Sequence, residues 1–513
     1  MAATQQAPWT LGELLDGFLP AEGLSPALRT LPISGLSLSA ASVESGDVFI
    51  ALKGAKQHGL AYAEQAAARG AAAILWEIPA DGVTPIQAGS LRVPAQGIAQ
   101  LRSLLGWIAA RFYGSPSAEV CVTAVTGTDG KTSVTHLLTQ AWGLLGQSAA
   151  QIGTLGVGRL DALADLGMTT PDALTLQQHL QMFVAHDVAR VVMEASSHAL
   201  DQGRLHGTQI EQAIFTGLAR DHLDYHGDEA SYAAAKQRLF AWPGLRQAIL
   251  RAGDPWSAQW FAQIQHDVTC IRYGLEADAD VYAEIEDVST QERSIKGQGL
   301  RFRIRGVLGE GEVQSALLGR FNVENLLAVF AALRLQDVPL AEALAVLEDV
   351  QPVPGRMQSL HKTGFPTAVV DYAHTPQALE AALTSLRASH RGPLAVVFGC
   401  GGERDRGKRA LMGAVAERLA DQVWLTNDNP RSEDPQAILT EILSGFDQPE
   451  RAHIELDRAR AIQQALATAD AQGLVLIAGK GHETTQQMGS TRLPFSDAAA
   501  VQQAFRHLAE VRA

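Results

Sequence analysis

The stretch TGTDGKTS at residues 126–133 decides the fold, because it lies between an apolar, β-rich run and an amphipathic helical stretch. Gly127 and Gly130 allow backbone N–H groups to close on phosphate oxygens, and the helix N-terminus adds partial positive charge. Lys131 adds a full positive charge, and the Thr132 hydroxyl can hold Mg²⁺. The pattern predicts a nucleotide triphosphate site. The structural alternative is a Gly-rich turn with a chance Lys-Thr pair.

The part of the chain around this stretch alternates apolar strands with helical stretches. Strands are predicted at VCVTAV, RVVME and QAIFTG, and helices at TSVTHLLTQAWGLLG and SYAAAKQRLFAW. This alternation is typical of βαβ units and of a largely parallel sheet. The pattern at residues 301–307 alternates more regularly and predicts an antiparallel edge.

The length of the chain indicates three domains, since 513 residues is about three times a typical domain of roughly 100–200 residues. Turn-forming residues mark two boundaries, at YGSPSAE and at QPVPG. We therefore expect an α/β protein with a small N-terminal α/β domain (1–116), a central P-loop-like ATPase domain with a mainly parallel sheet (117–351) and a C-terminal Rossmann-like α/β domain (352–513).

The last part of the chain repeats one pattern four times: an apolar strand, a polar loop rich in Gly, Asp, His or Arg, and a helix. The four cases are TAVVDYAHTP, PLAVVFGCGGERDRGKR, QVWLTNDNPRSEDP and GLVLIAGKGHETT. Ligands of parallel sheets bind at the carboxyl ends of the strands. These four loops are therefore expected to meet at one rim and to form a binding site.

Acidic residues outnumber basic residues by 55 to 41, which gives a net charge of −14 at pH 7. This charge disfavours a general nucleic-acid binder or a protein that binds anionic membranes. No apolar run approaches the roughly 18–20 residues of a membrane-spanning helix, and the N terminus lacks the basic start of a signal peptide. Cys121, Cys270 and Cys400 lie far apart and outside any CxxC pattern, so we expect reduced thiols, no structural zinc and a cytosolic protein.

The glycine loop departs from the usual GxxxxGK[ST] spacing, because only two residues separate Gly127 from Gly130. It resembles instead the T-G-T-x-G-K-T-[ST] loop of the Mur ligase family, the ATP-dependent amide-forming enzymes of peptidoglycan assembly. Further motifs carry the resemblance over roughly residues 43–497: Thr169-Thr170-Pro171, MEASSHALDQGR, ARDHLDYHG, YAAAKQRLF, GRFNVENLLA, PGRMQ, DYAHTP, GCGGERDRGKR, DNPR and AGKGHE.

The resemblance implies a ligase that adds meso-diaminopimelate to UDP-N-acetylmuramoyl-L-alanyl-D-glutamate. A carboxylate and an ammonium do not form an amide in water at useful yield, so ATP first phosphorylates the carboxylate and the amine then displaces phosphate. The implied cofactors are ATP and Mg²⁺. The N-terminal domain is then expected to bind UDP, the central domain ATP and the C-terminal domain the amino acid, in a monomer of the bacterial cytoplasm.

For ATP, the resemblance implies the glycine loop and three residues close to the base, the phosphates and the ribose. The full set is Gly127, Thr128, Asp129, Gly130, Lys131, Thr132, Ser133, Asn325, Arg356 and Asp371. Asn322, close to Asn325, and His374, in the loop of Asp371, are further candidates. Ordinary loop hydrogen bonding is a rival interpretation for Asn322 and His374.

Thr132, Glu194 and His222 each follow a strand, and the resemblance implies that they are metal ligands. A satisfied loop histidine is the ordinary alternative for His222, since His is an unusual Mg²⁺ ligand. A solvated surface lysine is the ordinary alternative for Lys236. In the family, a lysine carbamylated by CO₂ occupies the matching position, and its negative charge can bind a second Mg²⁺. The resemblance therefore implies N6-carboxylysine at Lys236 and makes Lys131, His222 and Lys236 the catalytic candidates.

Two further sets of residues follow from the resemblance. The UDP-muramoyl dipeptide is expected to contact Ser39, Thr169, Thr170, Ser196, Gln202 and Arg204. Meso-diaminopimelate is expected to contact Arg404, Asp428, Asn429, Pro430, Arg431, Gly479 and Glu483.

The loop DNPR at residues 428–431 distinguishes family members that use meso-diaminopimelate from those that use lysine. Diaminopimelate has a second carboxylate at its far end, which Arg431 can grip bidentately, while Asp428 and Asn429 meet the adjoining ammonium. Lysine lacks that carboxylate and should be rejected. Asp-Asn-Pro is also a good turn in any protein, which is the structural alternative.

The sequence departs from the family at three places. Asp129 stands where the family loop has Asn, and it adds negative charge beside the phosphates. Gly217 and Ala219 replace the usual Asn and Ser before Arg-Asp-His. Ser39-Ala40-Ala41 replaces Asp-Ser-Arg, so the backbone, Ser39 or the loop Ala55-Lys56-Gln57 would have to hold the uridine.

Two rival functions stay open at this point. One is the same ATP chemistry on another carboxylate, as in a folylpolyglutamate or cyanophycin synthetase, although the DNPR and TTP motifs argue against it. The other is a non-catalytic nucleotide-binding protein, suggested by Asp129, Gly217 and the missing Asp-Ser-Arg. The glycine loop, the lysine and the acidic positions that catalysis needs are all present.

Overall fold

The computed structural model describes residues 9–20, 23–54, 57–79, 91–264, 266–285 and 299–512. The strands fall into three main sheets, one in each third of the chain, with helices packed against them. This arrangement confirms the predicted α/β fold class. The proposed boundaries at residues 116 and 351 stay a prediction. Among the described residues, no helix is both long enough and apolar enough to cross a membrane.

The N-terminal part contains a four-stranded parallel sheet, in the order β3-β4-β5-β6, and a short antiparallel pair, β1-β2. The strands are β1 (Trp9–Thr10), β2 (Pro32–Ile33), β3 (Gly35–Ser37), β4 (Asp47–Ala51), β5 (Ala73–Ile78) and β6 (Ala95–Ala99). The helices are α1 (Leu11–Leu15), α2 (Pro26–Arg29), α3 (Ala63–Ala68) and α4 (Leu101–Phe112). Every residue of β4 is buried, as expected for a strand covered on both faces.

The central part is built on a ten-stranded sheet in the order β16-β15-β14-β13-β12-β11-β7-β10-β8-β9. Its strands are β7 (Cys121–Thr126), β8 (Ala149–Gly153), β9 (Gly156–Gly158), β10 (Arg190–Glu194), β11 (Gln212–Phe215), β12 (Gln247–Arg251), β13 (Thr269–Gly274), β14 (Val281–Ile285), β15 (Leu300–Gly306) and β16 (Gly311–Ser315). The seven strands from β14 to β8 in that order run parallel. β15 pairs antiparallel with both neighbours, which confirms the predicted antiparallel edge.

Eight helices of the described central part pack against this sheet or connect its strands. They are α5 (Lys131–Leu144), α6 (Ala173–Ala185), α7 (Ser197–Asp201), α8 (Leu223–His226), α9 (Glu229–Gln237), α10 (Pro255–Phe261), α11 (Phe321–Leu335) and α12 (Leu340–Asp349). The chain is apolar around most of α11, and the helix is correspondingly buried in the largest apolar core. Strand β7, at the middle of the parallel stretch, places the glycine loop at the carboxyl edge of the sheet.

The C-terminal part has a six-stranded sheet in the order β17-β18-β22-β19-β20-β21, of which only β17 pairs antiparallel, and a separate hairpin, β23-β24. The strands are β17 (Gln358–Leu360), β18 (Thr367–Asp371), β19 (Leu394–Phe398), β20 (Gln422–Leu425), β21 (His453–Ile454), β22 (Leu474–Ala478), β23 (Thr485–Met488) and β24 (Thr491–Pro494). The helices are α13 (Pro376–Ser389), α14 (Gly407–Leu419), α15 (Pro435–Leu443), α16 (Arg458–Thr468) and α17 (Asp497–Arg512).

The four polar loops of the C-terminal part follow β18, β19, β20 and β22, which are adjacent and parallel. Their carboxyl ends therefore meet at one edge of the sheet, as the sequence predicted. We call this edge the C-terminal rim; it comprises the loops 372–375, 399–406, 426–434 and 479–484.

Candidate active site

The glycine loop joins the end of β7 to the start of α5, as the sequence predicted. Gly127 and Gly130 have φ angles of +147° and +82°, which favour glycine. A Cβ atom at Gly127 would lie 2.0 Å from Thr216 Oγ1, so a larger residue does not fit there. Thr216 also donates a hydrogen bond to the Asp129 carbonyl. Thr216, which the sequence analysis missed, therefore supports the loop from β11.

Two lysines donate hydrogen bonds to backbone carbonyls of this loop. Lys131 Nζ contacts the carbonyl oxygens of Gly127 at 3.0 Å and Thr128 at 2.7 Å, and Lys236 Nζ contacts that of Gly127 at 2.6 Å. Burial lowers the pKa of Lys131, and it lowers the pKa of Lys236 well below its usual value, with the Lys131 charge as the second cause. Lys236 is buried, so the solvated-lysine alternative is wrong.

Glu194 lies at the end of β10 and is buried beside the glycine loop. Thr132 Oγ1 donates to its Oε2 at 3.0 Å, and Thr154 donates through its backbone N–H to Oε1 at 2.7 Å and through its hydroxyl to Oε2 at 3.2 Å. Two of the predicted metal ligands, Thr132 and Glu194, are therefore in direct contact. Thr154 was missed, because nothing in its local sequence marks it.

His222 has a left-handed backbone, with φ of +53°, and its Nε2 lies 3.4 Å from Asp221 Oδ2. Burial lowers the pKa of His222 to about 4, so its ring is neutral at pH 7. His198 and Tyr232 pack edge-on against the ring at centroid distances of 4.9 and 6.1 Å. His198 lies in the motif MEASSHALDQGR but was not predicted as a site residue.

Five of the six residues predicted to bind the UDP-muramoyl dipeptide form one hydrogen-bonded group around Glu194. Thr170 Oγ1 donates to the Glu194 carbonyl at 2.8 Å and accepts from the Ser196 N–H at 3.1 Å. Arg204 donates to the Thr170 carbonyl at 3.0 Å and to Gln202 Oε1 at 2.7 and 3.0 Å. The neighbouring Thr169 hydroxyl accepts from Thr154 Oγ1 at 3.2 Å.

The predicted uridine-binding residues lie apart from this group. The hydrogen bonds of Ser39 are made to Ser37 and Ser42, all within the N-terminal part. Ala55 and Lys56 lie outside the described residues.

The substitutions at Gly217 and Ala219 leave the backbone contacts of the glycine loop in place. Thr128 donates through its N–H to the Gly217 carbonyl at 2.8 Å. Its hydroxyl accepts from the Ala219 N–H at 2.9 Å and lies 3.1 Å from the Ala219 carbonyl. Main-chain atoms of both residues therefore hold the loop.

Asn325 lies against the glycine loop, because its Oδ1 would be 3.0 Å from a Cβ atom at Gly130. Its Nδ2 donates to Asn322 Oδ1 at 2.8 Å, and Asn322 Nδ2 donates to the Leu318 carbonyl at 2.7 Å. Asn322 therefore makes the ordinary local hydrogen bonds that the rival interpretation expected. The arrangement brings Asn325, rather than Asn322, to the loop.

Arg356 connects the central part to the C-terminal rim. Its guanidinium lies 4.5 Å from the centre of the Tyr372 ring, and Nη2 donates to Thr132 Oγ1 at 3.3 Å. Its Nε is buried, and no described residue of the chain forms a hydrogen bond with it. Arg356 thus reaches the predicted phosphate site, and Tyr372, which the sequence analysis did not single out, supports it.

Asp371 is buried at the end of β18, and burial raises the pKa of its carboxyl group. Oδ2 accepts from the Met357 N–H at 2.7 Å, and Oδ1 accepts from the Ala373 N–H at 2.9 Å. His374 Nδ1 lies 2.8 Å from the Tyr372 carbonyl. Both side chains therefore make local loop contacts.

Two glycines make a close backbone contact where the chain enters the C-terminal part. A Cβ atom at Gly355 would lie 2.1 Å from the His482 nitrogen, and one at Gly481 would lie 2.7 Å from the Gly355 carbonyl. Both glycines have positive φ angles, +65° and +54°. The segment before Arg356 is thus packed directly on the loop that carries Glu483.

The loop 428–431 is supported by the hairpin β23-β24. The Arg431 N–H donates to the Gln487 carbonyl at 3.2 Å, and the Gly489 N–H donates to the Arg431 carbonyl at 2.8 Å. Asn429 Oδ1 accepts from the Gln487 N–H at 2.9 Å. This role of the hairpin was not predicted from the sequence.

Asn429, Lys480 and Glu483 form a hydrogen-bonded group on the C-terminal rim. Lys480 Nζ is buried and contacts Glu483 Oε2 at 2.6 Å and Asn429 Oδ1 at 3.0 Å. Asn429 Nδ2 also donates to Glu483 Oε2 at 2.8 Å. Lys480, which was not a predicted site residue, therefore fixes the orientation of two that were.

Asp428 lies against Gly479, where a Cβ atom would be 2.6 Å from Asp428 Oδ2. Burial raises the pKa of Asp428, partly offset by Arg458 and Lys480. On the other side of the loop, a Cβ atom at Gly402 would lie 1.9 Å from the Pro430 carbonyl. Glycines on two neighbouring loops thus allow the close approach of the Asp428–Arg431 segment.

Arg404 and Arg431 differ from two neighbouring arginines, Arg406 on the rim and Arg409 on α14. Within the described ranges, neither has a carboxylate oxygen within 4.0 Å, whereas Arg406 and Arg409 each pair with two glutamates. Arg404 is exposed, and Arg431 is half-buried, with its guanidinium bonded to the Gly402 carbonyl. These two guanidinium groups are the cations of the rim that are available to a carboxylate.

Comparison with known proteins identifies the three parts of the chain. Residues 32–113 match the profile described as Mur ligase family, catalytic domain; residues 125–333 match the Mur ligase middle domain; and residues 355–481 match the Mur ligase, glutamate ligase domain.

Named relatives align over nearly the whole chain. The UDP-N-acetylmuramoyl-L-alanyl-D-glutamate--2,6-diaminopimelate ligase of Xanthomonas campestris pv. campestris is 46% identical over 93% of this chain and 94% of its own length. A solved structure of a ligase with the same name has a TM-score of 0.68 and 34% identity, over 98% of this chain and 99% of the other. The MurF ligase of Thermotoga maritima in complex with ADP, at a TM-score of 0.60, 17% identity and a coverage of 93% and 98%, shares the fold. This chain belongs to the Mur ligase family.

Proposed function

We propose that the protein is the ligase that joins meso-diaminopimelate to UDP-N-acetylmuramoyl-L-alanyl-D-glutamate with hydrolysis of ATP, in peptidoglycan precursor synthesis. The observation that carries this proposal is the loop 428–431, in which Arg431 has no acidic partner among the described residues. A guanidinium in this position suits the far carboxylate of diaminopimelate through its two-pronged geometry. The names of the 46% identical relatives support the same substrates.

The reaction proceeds in two chemical steps. ATP transfers its γ-phosphoryl group to the substrate carboxylate, which breaks the β,γ-phosphoanhydride bond and forms an acyl phosphate and ADP. The amine of diaminopimelate then attacks the acyl carbon, and the C–O bond to phosphate breaks with loss of a proton from nitrogen. Lys131, Arg356 and the loop N–H groups are the donors that we assign to the phosphates. Asn325 is assigned to the base, and Asp371, which also accepts from the Met357 N–H, is assigned to the ribose.

Mg²⁺ is the metal that the family implies, and the side chains at the loop fit it in part. The Thr132 hydroxyl and the Glu194 carboxylate, in contact at 3.0 Å, are the hard oxygen donors that Mg²⁺ prefers. His222 is neutral at pH 7, as a metal ligand must be. Among the described residues, no three His, Cys, Asp or Glu side chains group closely enough to hold a metal alone. A bound Mg²⁺ would screen the repulsion between the γ-phosphate and the substrate carboxylate.

Lys236 fits this site only as a carbamate, because an amine or ammonium does not bind Mg²⁺. We propose that its neutral Nζ attacks CO₂, forming an N–C bond and releasing one proton. Support comes from its burial, from the contact of its Nζ with the Gly127 carbonyl, and from the direction of its pKa shift, since burial lowers the pKa and so favours the neutral amine over the ammonium. The product is an anion beside the cation Lys131.

The acceptor and the amino acid are assigned to the residue groups described above. Arg204, with Thr169, Thr170, Ser196 and Gln202, is proposed to bind the dipeptide end of the UDP substrate, and Ser39 its nucleotide end. Arg404, Asp428, Asn429, Pro430, Arg431, Gly479 and Glu483 are proposed to bind diaminopimelate. We further propose a monomer in the bacterial cytoplasm, with domains divided at residues 116 and 351.

Phosphate release tests the proposed function directly. The purified protein is incubated with ATP and Mg²⁺, with each substrate alone and with both substrates together. Release that requires both the UDP-muramoyl dipeptide and meso-diaminopimelate supports the proposal. Release with another carboxylate substrate, or no release under any condition, would overturn it in favour of a different ligase or a non-catalytic nucleotide-binding protein.

A further inference from the structure

One buried arginine joins the two loops of the rim that carry the unpaired arginines. Arg409, near the start of α14, donates to both carboxylate oxygens of Glu433, at 2.9 and 3.1 Å. It also donates to the Gly401 carbonyl at 3.1 Å and to Glu441 Oε2 at 2.8 Å. Gly401 lies in the loop of Arg404, and Glu433 lies two residues after Arg431. Arg409 is thus bonded to both loops at once.

The burial of Arg409 separates it from the arginines that can bind a ligand. Its side chain is 0% exposed, and that of Glu433 is 15% exposed. Its two terminal nitrogens are bonded to carboxylates and to a carbonyl, and such charge-assisted bonds hold both partners in a fixed geometry. Arg409 is therefore not available to a substrate carboxylate and acts on the site only through the loops it holds.

Glu433 closes the turn that displays Arg431. Its N–H donates to the Pro430 carbonyl at 3.1 Å, and its carboxylate accepts from the Glu403 N–H. Within this turn Arg431 has a φ of +53°, a left-handed conformation that is unfavourable for a residue with a Cβ. Such a conformation persists where the surroundings hold it. The bonds of Glu433 to Arg409 and to the turn provide that support.

The two loops are also bonded to each other at the point where the arginines emerge. The Gly402 N–H donates to the Asn429 carbonyl at 3.0 Å, and the Arg431 guanidinium donates to the Gly402 carbonyl. A shift of either loop relative to the other would therefore change the separation between the Arg404 and Arg431 side chains.

We propose that Arg409 and Glu433 are a positioning pair that fixes Arg404 and Arg431 relative to each other, and so selects an amino acid with a carboxylate at its far end. This inference rests on the proposed function. Neither residue of the pair touches the substrate. Its contribution is the geometry of the two guanidinium groups that do.

The test compares Arg409→Lys and Glu433→Gln with the wild-type protein in steady-state kinetics. Loss of the two-pronged bond lets the Arg431 turn move, and a displacement of about 1 Å can cost about a hundredfold in rate. We expect kcat/KM for meso-diaminopimelate to fall by about ten- to a hundredfold. The KM values for ATP and for the UDP-muramoyl dipeptide, which bind elsewhere, should stay unchanged, as should any slow reaction with L-lysine.

Arg406→Gln is the matched control. Arg406 pairs with the same Glu433 and Glu441, at 3.1 and 3.5 Å, but its side chain is 65% exposed. Exposed pairs contribute little, so this variant should keep the wild-type kcat/KM for all three substrates.

A double-mutant cycle with Arg431→Met separates positioning from general stability. If Arg409 acts through Arg431, adding Arg409→Lys to Arg431→Met should cause little further loss for meso-diaminopimelate. An equal loss in both backgrounds, or a similar rise of all three KM values, would overturn the positioning role. If Arg409→Lys does not fold, the same criteria apply to Glu433→Gln. A wild-type protein that is inactive with meso-diaminopimelate removes the proposed function and this inference together, whereas active wild type with unaltered variants removes only the inference.

Discussion

The glycine loop of the central part and the C-terminal rim are the two regions to which we assign anionic ligands, and they are built differently. At the glycine loop, both lysines donate to carbonyls of the loop itself. Lys131 reaches carbonyls three and four residues before it, and Lys236 reaches the Gly127 carbonyl from α9. On the rim, side chains from four loops bond to one another, as Lys480 does to Asn429 and Glu483. Most of the proposed phosphate site thus comes from one segment, to which Arg356 is added, whereas the proposed amino-acid site is assembled from several loops.

The two regions also differ in which groups are assigned to ligand binding and which groups hold the loops in place. At the glycine loop, we assign the positive potential to backbone N–H groups and to Lys131, while Lys236 is the residue that we propose to become a carbamate. On the rim, the buried ion pair Arg458–Asp497 supports the loop of Asn427, and the groups that we assign to the amino acid are other residues of the loops. Substitutions of Lys131 or Lys236 should therefore abolish turnover, and those on the rim should divide into losses of stability and losses of selectivity.

The largest effect is expected for Lys236→Ala. Removing the nitrogen removes the proposed carbamate, and the loss of one group that stabilises transition-state charge costs about a hundred- to a thousandfold or more in kcat. Phosphate release should be undetectable. Bicarbonate should restore a CO₂-depleted wild-type sample but not the variant. Normal turnover by the variant would remove the carbamate hypothesis.

A smaller effect, on stability rather than on chemistry, is expected for Arg458→Met. Arg458 and Asp497 are both fully buried, with contacts of 2.7 and 2.8 Å, and Arg458 also donates to the carbonyls of Asn427 and Ala478. Leaving Asp497 unpaired should lower the free energy of unfolding of the C-terminal part by about 3–5 kcal/mol. The measurement is the shift of its urea-unfolding transition.

Arg460→Met is the control for that variant, since Arg460 and Asp457 are exposed and 3.9 Å apart. Its expected cost is about 1 kcal/mol or less. Equal shifts for Arg458→Met and Arg460→Met would show that the buried pair does not support the rim.

The next largest effect, a loss of selectivity, is expected for Arg431→Met. Arg431→Met removes the guanidinium that we assign to the far carboxylate, so kcat/KM for meso-diaminopimelate should fall by about a hundredfold or more. The rate with L-lysine, which has no such carboxylate, should change little, and the ratio of the two rates measures the effect. A wild-type preference for lysine would contradict the assignment of Arg431.

The smallest effect is expected for Asp129→Asn. The Asp129 side chain is exposed beside Lys131, and its negative charge opposes that of the phosphates. Removing the charge should lower the KM for ATP by about two- to fivefold at low salt, and by less at high salt. An unchanged or higher KM would indicate that the carboxylate does not act on ATP.

The same contrast explains how much the sequence could predict. The glycine loop follows from seven or eight adjacent residues, because the positive φ of Gly127 and Gly130 and the charge of Lys131 are local properties. The rim was predicted as four loops, since each loop follows an apolar strand. Arg409 and Arg458 were missed because arginine in a helix ordinarily faces solvent, and their burial depends on partners 24 and 39 residues away. Thr154 and Thr216 were also missed, because their contacts are made to residues 40 and 87 positions away in the chain.

The back-to-back glycines at residues 355 and 481 give the connection to the C-terminal part a further property. With no side chain at either position, the peptide that leaves the central part rests on the same loop that holds Glu483. Arg356, the next residue, reaches Thr132. The Arg356 guanidinium and the loop of Glu483 are therefore joined through one backbone contact, and a displacement of the C-terminal part at this contact would move both of them together.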